Sequence, residues 1–221
     1  MIIKYKRELT PRDLVMAHDA SSSLTGFTLI ELLISISIIS VIMSVVFFNY
    51  GIFNDQLALT SAGQEMAIAV RQTQTYGLSV KEISPGSGKF DRAYGVHFDP
   101  SDPEHYYLFV DTKGISGNKI YDVLNGCESD NTECVEKFTL RNNIKIYLIC
   151  DGANPTPNCP PTGAQSLDVT YLRPNPDANI NFISSGGGLV GSSLTGKVIL
   201  VSPKGKTLTV IIESTGQVSI Q

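Results

Sequence analysis

Two hydrophobic rhythms divide this chain. Phe27 to Phe48 is dominated by Ile, Leu, Val and Phe, and no Asp, Glu, Lys or Arg occurs from Leu32 to Asn54. About 20 apolar residues at ~1.5 Å rise cover the ~30 Å hydrocarbon core of a bilayer, so this run predicts a membrane-spanning helix over about 27–50. From Asp55 to Val80 polar residues interleave, yet Ala62, Met66, Ala69, Val70 and Thr73 recur at three- and four-residue spacing and form one stripe. One long helix over 27–80 is predicted, bent or locally melted near Asn49-Tyr50-Gly51, its second half packed on a globular domain at 81–221. From about Ala93 the period becomes 2. Strands are expected at 93–99, 106–111, 119–124, 137–141, 144–149, 167–172, 179–183, 197–202, 207–213 and 217–220. Gly-, Pro-, Asn- and Ser-rich runs at 84–88, 151–163, 173–178 and 184–191 read as loops, 202–206 as a hairpin loop and Thr215-Gly216 as a tight turn. The predicted class is α+β, with the helix laid on an antiparallel sheet.

One residue breaks the apolar run. Glu31 sits near its start, where a carboxylate costs about 2.5–3.5 kcal/mol if it reaches the bilayer centre, so it needs a partner or a place near the headgroups. Residues 1–26 carry Lys4, Lys6, Arg7 and Arg12, lack a strong apolar run and end near Ser21-Ser22-Ser23. A secretory signal peptide places its apolar region before the cut; here the apolar region follows the basic segment. The basic residues predict an N-terminus inside the cytoplasmic membrane and a C-terminal domain outside it.

Gly26-Phe27-Thr28-Leu29-Ile30-Glu31-Leu32-Leu33 resembles the processing motif of the type IV pilin and type II secretion pseudopilin family. The resemblance implies removal of residues 1–26 as a leader by a prepilin peptidase, with cleavage between Gly26 and Phe27 and N-methylation of Phe27. It implies a pilin-like fold and partners among other pilins or pseudopilins, the peptidase and a secretion or pilus assembly platform. Glu31 would pair with the Phe27 amine of a neighbouring subunit in the filament's apolar core, where either charge alone is expensive. The segment 62–80, with Arg71 and Tyr76-Gly77, and the closing strands near 197–201 and 208–212 resemble H-type minor pseudopilins and FimT-like minor pilins. The expected role is therefore a minor structural subunit of a secretion pseudopilus or type IV pilus, with a DNA-binding FimT-like pilin for natural transformation as the alternative.

The leader holds four of the 17 basic and three of the 21 acidic residues, which leaves 13 against 18, a net charge of −5. That balance argues against nonspecific nucleic-acid binding through phosphates, although Lys197, Lys204 and Lys206 could touch DNA locally. Cys127, Cys134, Cys150 and Cys159 all lie in the expected exported part, so disulfides are the leading reading, and local pairing 127–134 and 150–159 is preferred because each pair brackets one loop. A four-thiolate zinc site and free thiols are the alternatives. Asp99-Pro100-Ser101-Asp102-Pro103-Glu104 offers oxygens for calcium but lacks an EF-hand's glycine turn, and a solvated acidic loop is preferred. His97 and His105 flank that loop without a convincing nucleophile–base pairing. No enzyme activity, metal or cofactor is expected.

Overall fold

A computed structural model describes residues 26–79, 81–82, 88, 90–113, 117–122, 127, 133–152 and 159–221. The basic leader and the expected loop at 84–88, apart from Gly88, lie outside the described residues, as does much of the loop expected at 151–163. The described residues form one long helix, α1 (Leu29–Leu78), and ten strands. These are β1 (Tyr94–Phe98), β2 (His105–Val110), β3 (Cys134–Thr139), β4 (Lys145–Asp151), β5 (Ser166–Leu172), β6 (Asn175–Ile183), β7 (Leu189–Ser193), β8 (Thr195–Val201), β9 (Thr207–Glu213) and β10 (Val218–Ile220). The fold is α+β, and every strand pairing is antiparallel. Two compact units emerge, one ending at Phe48 and the other spanning Asn49–Gln221.

The first unit is the opening of α1. Its described residues are exposed throughout, and Leu29–Phe48 is long and apolar enough to cross a membrane. Ser35, Ser37, Ser40 and Ser44 each donate to the carbonyl four residues back at 2.7–2.8 Å. The hydroxyls thus find partners inside the helix itself.

The second unit contains the rest of α1 and both sheets. One sheet has six strands in the order β3-β2-β1-β5-β6-β7, the other four in the order β10-β9-β8-β4. Leu59, Ala62, Met66, Ala69 and Val70 enter a single core with Val96, Phe98, Val169, Tyr171 and Ile180 of the larger sheet and Val198, Leu200, Val210 and Ile212 of the smaller. The helix approaches closely enough to demand glycine. A Cβ on Gly63 would stand 2.6 Å from Leu208 Cδ2, and one on Gly77 would stand 2.5 Å from the backbone oxygen of Tyr171.

Four sequence expectations change. Helix α1 is not melted at Asn49–Gly51 but keeps its helical turns there, because continuing an established helix past one glycine costs only about 1 kcal/mol, less than restarting it. Residues 119–122 form no strand; Lys119 has φ 60°, and the backbone there bonds to buried carboxylates. The end of that expected strand, 123–124, lies outside the described residues. The glycine-rich stretch 184–191 is partly strand: Ser184 N donates to Gly188 O at 2.9 Å, Gly187 takes φ 75°, and β7 follows. β6 likewise begins at Asn175, inside the loop expected at 173–178.

Candidate processing and assembly site

Gly26, Phe27 and Thr28 precede α1 as exposed, irregular chain, and Phe27 is 81% exposed. Thr28 caps the helix. Its hydroxyl accepts from Glu31 N at 3.2 Å, and its carbonyl accepts from Glu31 N at 3.1 Å and Leu32 N at 3.2 Å. Thr28-Leu29-Ile30-Glu31 is the Ser/Thr-x-x-Glu spacing of a capping box, so the residue types that mark the motif also fix where the helix starts. The Glu31 carboxylate is exposed, and among the described residues it has no hydrogen-bond or ion-pair partner. A carboxylate in the first helical turn gains from the helix dipole, yet it lies within an apolar stretch. The arrangement is an exposed Gly26–Phe27 bond, a capped helix start and a carboxylate with its oxygens free.

The prokaryotic N-terminal methylation motif matches residues 25–47. This chain carries the type IV pilin-like methylation motif. No curated protein and no solved structure matches the chain. The motif supports a type IV pilin-like or pseudopilin-like subunit, a structural rather than catalytic class, one that associates in general with other pilins and a prepilin peptidase. It also agrees with membrane anchoring through the N-terminal helix.

The structure joins Cys127 to Cys134 and Cys150 to Cys159, with Cα–Cα distances of 5.1 and 4.8 Å. The first pair ties the start of β3 to the preceding segment, and the second ties the end of β4 to Cys159. Among the described residues no group of three metal-ligating side chains stands together. In the acidic loop, Asp99 Oδ1 accepts from Ser101 N at 2.7 Å, while Asp102 bonds His105 Nδ1 at 2.7 Å and Tyr107 Oη at 2.5 Å. Burial alone would raise the Asp102 pKa, but the bonds from Tyr107 and His105 outweigh it and hold the carboxyl below its ordinary value. Lys197 sits four residues before Val201 in β8, so about 13 Å of strand separates it from the hairpin that carries Lys204 and Lys206. The three lysines do not make one patch.

Sequence reasoning missed a row of polar residues across the outer face of the six-stranded sheet. Lys137, Tyr107, His97, Asp168, Asn181 and Ser192 are successive register partners from β3 to β7. His97 Nδ1 lies 2.6 Å from Asp168 Oδ1, and Ser192 Oγ donates to Asn181 Oδ1 at 2.8 Å. Residues 111–113 and 117–122 are held by carboxylates of this face and its neighbours. Tyr121 N donates to Asp168 Oδ2 at 2.8 Å, Lys119 N to Asp111 Oδ2 at 2.5 Å, and Asp122 N and Thr112 N to the two oxygens of Glu133 at 3.0 and 2.8 Å. Asp111, Glu133 and Asp168 are all buried. Burial pushes the Glu133 pKa up, and the N–H bonds from Asp122 and Thr112 offset only part of that rise. Gly95 belongs to the same face, since a Cβ there would meet the Phe109 ring at 2.5 Å. The available signal was a single acid inside an apolar strand run, as in Leu167-Asp168-Val169.

Proposed function

We propose that this chain is a minor subunit of a type II secretion pseudopilus or a type IV pilus, made as a precursor and built into the filament through its N-terminal helix. Prepilin peptidase removes residues 1–26 and methylates Phe27. The helix spans the cytoplasmic membrane over about 27–50, with the N-terminus inside and the domain at 81–221 outside, until assembly moves it into the filament. There the Glu31 carboxylate meets the Phe27 amine of a neighbouring subunit. The observation that carries this reading is the methylation motif laid over the start of a helix whose opening 20 residues present apolar side chains on all sides. Such a surface needs either lipid or other helices around it. The DNA-uptake alternative rests on three lysines that the fold separates, and we do not favour it.

The test is coexpression with a prepilin peptidase. N-terminal mass spectrometry should find a product that begins at N-methylated Phe27, and Gly26→Ala should block its formation. An intact precursor beside a peptidase that cuts a control pilin overturns the reading.

A further inference from the structure

The β8–β9 hairpin turn lies against α1 just past the apolar span. Lys204 Nζ is 2.8 Å from where a Cβ on Gly51 would stand. The same turn is fixed to the helix by a buried hydrogen bond, in which Ser202 Oγ donates to Asp55 Oδ2 at 2.6 Å. Ser202 Oγ also accepts from Lys206 N at 3.2 Å, which shapes the loop. The turn therefore cannot swing freely away from this part of the helix. Chain length alone keeps Gly51 within about 11 Å of Phe48, the last residue of the apolar span. Between and beyond these points the helix exposes Tyr50 (64%) and Phe53 (66%), and tyrosine is a residue type that collects at the water–lipid boundary.

Neither Lys204 nor Lys206 has an ion-pair partner among the described residues. The nearest acid on the helix, Asp55, is buried and engaged with Ser202. Glu104, which lines the same side of the hairpin base, is paired with Lys145 at 3.2 Å. Two unpaired ammonium groups on a short tethered turn, next to exposed aromatic rings and a span's end, meet the conditions for phosphate contact at a bilayer surface.

We propose that the 202–206 hairpin is a membrane-surface contact, with Lys204 and Lys206 binding the headgroups of anionic phospholipids while the subunit waits in the bilayer. The inference rests on the reading of Leu29–Phe48 as a membrane anchor. Lipid is favoured over DNA because only these two lysines share the turn, and because the turn packs on α1 at Gly51 and Asp55, a few residues along the chain from the end of the apolar span.

The full chain is inserted into nanodiscs of phosphatidylcholine alone or with roughly 30% phosphatidylglycerol. Lysine acetylation rates are then read by mass spectrometry. Lys204 and Lys206 should react about fivefold more slowly in the anionic discs, Lys197 should be unaffected, and ~1 M salt should abolish the difference. Equal rates in both discs overturn the proposal. Protection by added duplex DNA, without protection by anionic lipid, overturns it in favour of a nucleic-acid partner. Elution of the chain apart from the discs overturns the anchor reading and this proposal together, whereas co-elution with unprotected lysines overturns this proposal alone. The Lys204→Gln/Lys206→Gln chain should co-elute with both discs, which separates the anchor from the hairpin.

Discussion

The two halves of α1 share one backbone but differ in what covers them within the chain. In Leu29–Phe48 apolar residues occupy every face, each described side chain is exposed, and the serines turn inward to their own helix. In the later turns the apolar residues narrow to a stripe, and Met66 and Val70 are completely buried beneath two sheets. Helix propensity does not separate the halves; what surrounds each one does. A helix that is apolar all round needs a partner from outside the chain, whereas a striped helix finds its partner within it. The closing half is a structural wall of the domain, and the opening half is the part that the proposed anchoring and assembly would use.

Core substitutions should break that contrast most sharply. Met66→Ala should destabilise the domain by about 2–5 kcal/mol through the cavity it leaves, while Ile38→Ala, in the opening half, should leave unfolding of the domain unchanged. Thermal unfolding of the full chain in detergent, followed by near-UV circular dichroism, measures both. A comparable loss from both variants would mean that the opening half also serves the domain core.

Next in size are the cross-links, which exist only in the second unit. Each closes a short loop and should contribute about 2–3 kcal/mol. Domain exported to an oxidising compartment should show no free thiol after denaturation and alkylation, and reductant should lower its unfolding temperature. Four alkylated cysteines would remove the disulfides from the account.

The buried polar row should follow. Asp168→Asn keeps the shape but removes the charge that faces His97 and the Tyr121 N–H, for an expected loss of about 1–3 kcal/mol and faster amide exchange at Tyr121. Exchange at Tyr121 as slow as in the unaltered protein would show that the segment at 117–122 is held by something else.

The smallest effect is pH dependence. Glu133 has a folded pKa above its ordinary 4.5, so its contribution is fully present below that pH and is lost as pH rises through the folded value. Stability relative to Glu133→Gln should therefore fall as pH rises above 4.5. Asp102, held below 3.8, has the opposite sign: its contribution is present above that value and is lost as pH falls through the folded pKa. Melting curves across pH 3–7 for Glu133→Gln and Asp102→Asn should diverge from the parent in opposite directions.

The helix, its change of character and nine of the strands were legible because period and composition report burial directly. β8 alternates buried and half-buried positions along its length, and its sequence says so. β7 was hidden because Leu189-Val190-Gly191-Ser192-Ser193 lies at a sheet edge with little to bury, directly after a glycine run that forms its turn. Residues 119–122 misled for the converse reason. Lys119-Ile120-Tyr121-Asp122 alternates like a strand, but its N–H groups go to Asp111, Asn118, Asp168 and Glu133 rather than to a neighbouring ladder. Such side-chain partners leave no periodic trace in a sequence. At the processing site the residue types alone carried the motif, while the capping role of Thr28 required the helix start to be seen.

The most direct measurement for the central claim is crosslinking of Glu31→Ala to partner pilins in membranes, with processing followed separately by mass spectrometry. Removing the carboxylate should leave insertion intact or improved, because an ionisable group leaves the apolar run. Crosslinked complexes should nevertheless fall, because the Phe27 amine loses its counter-charge in a low-dielectric core. A processed Glu31→Ala subunit that crosslinks as well as the parent would contradict charge pairing as the reason this half of the helix assembles.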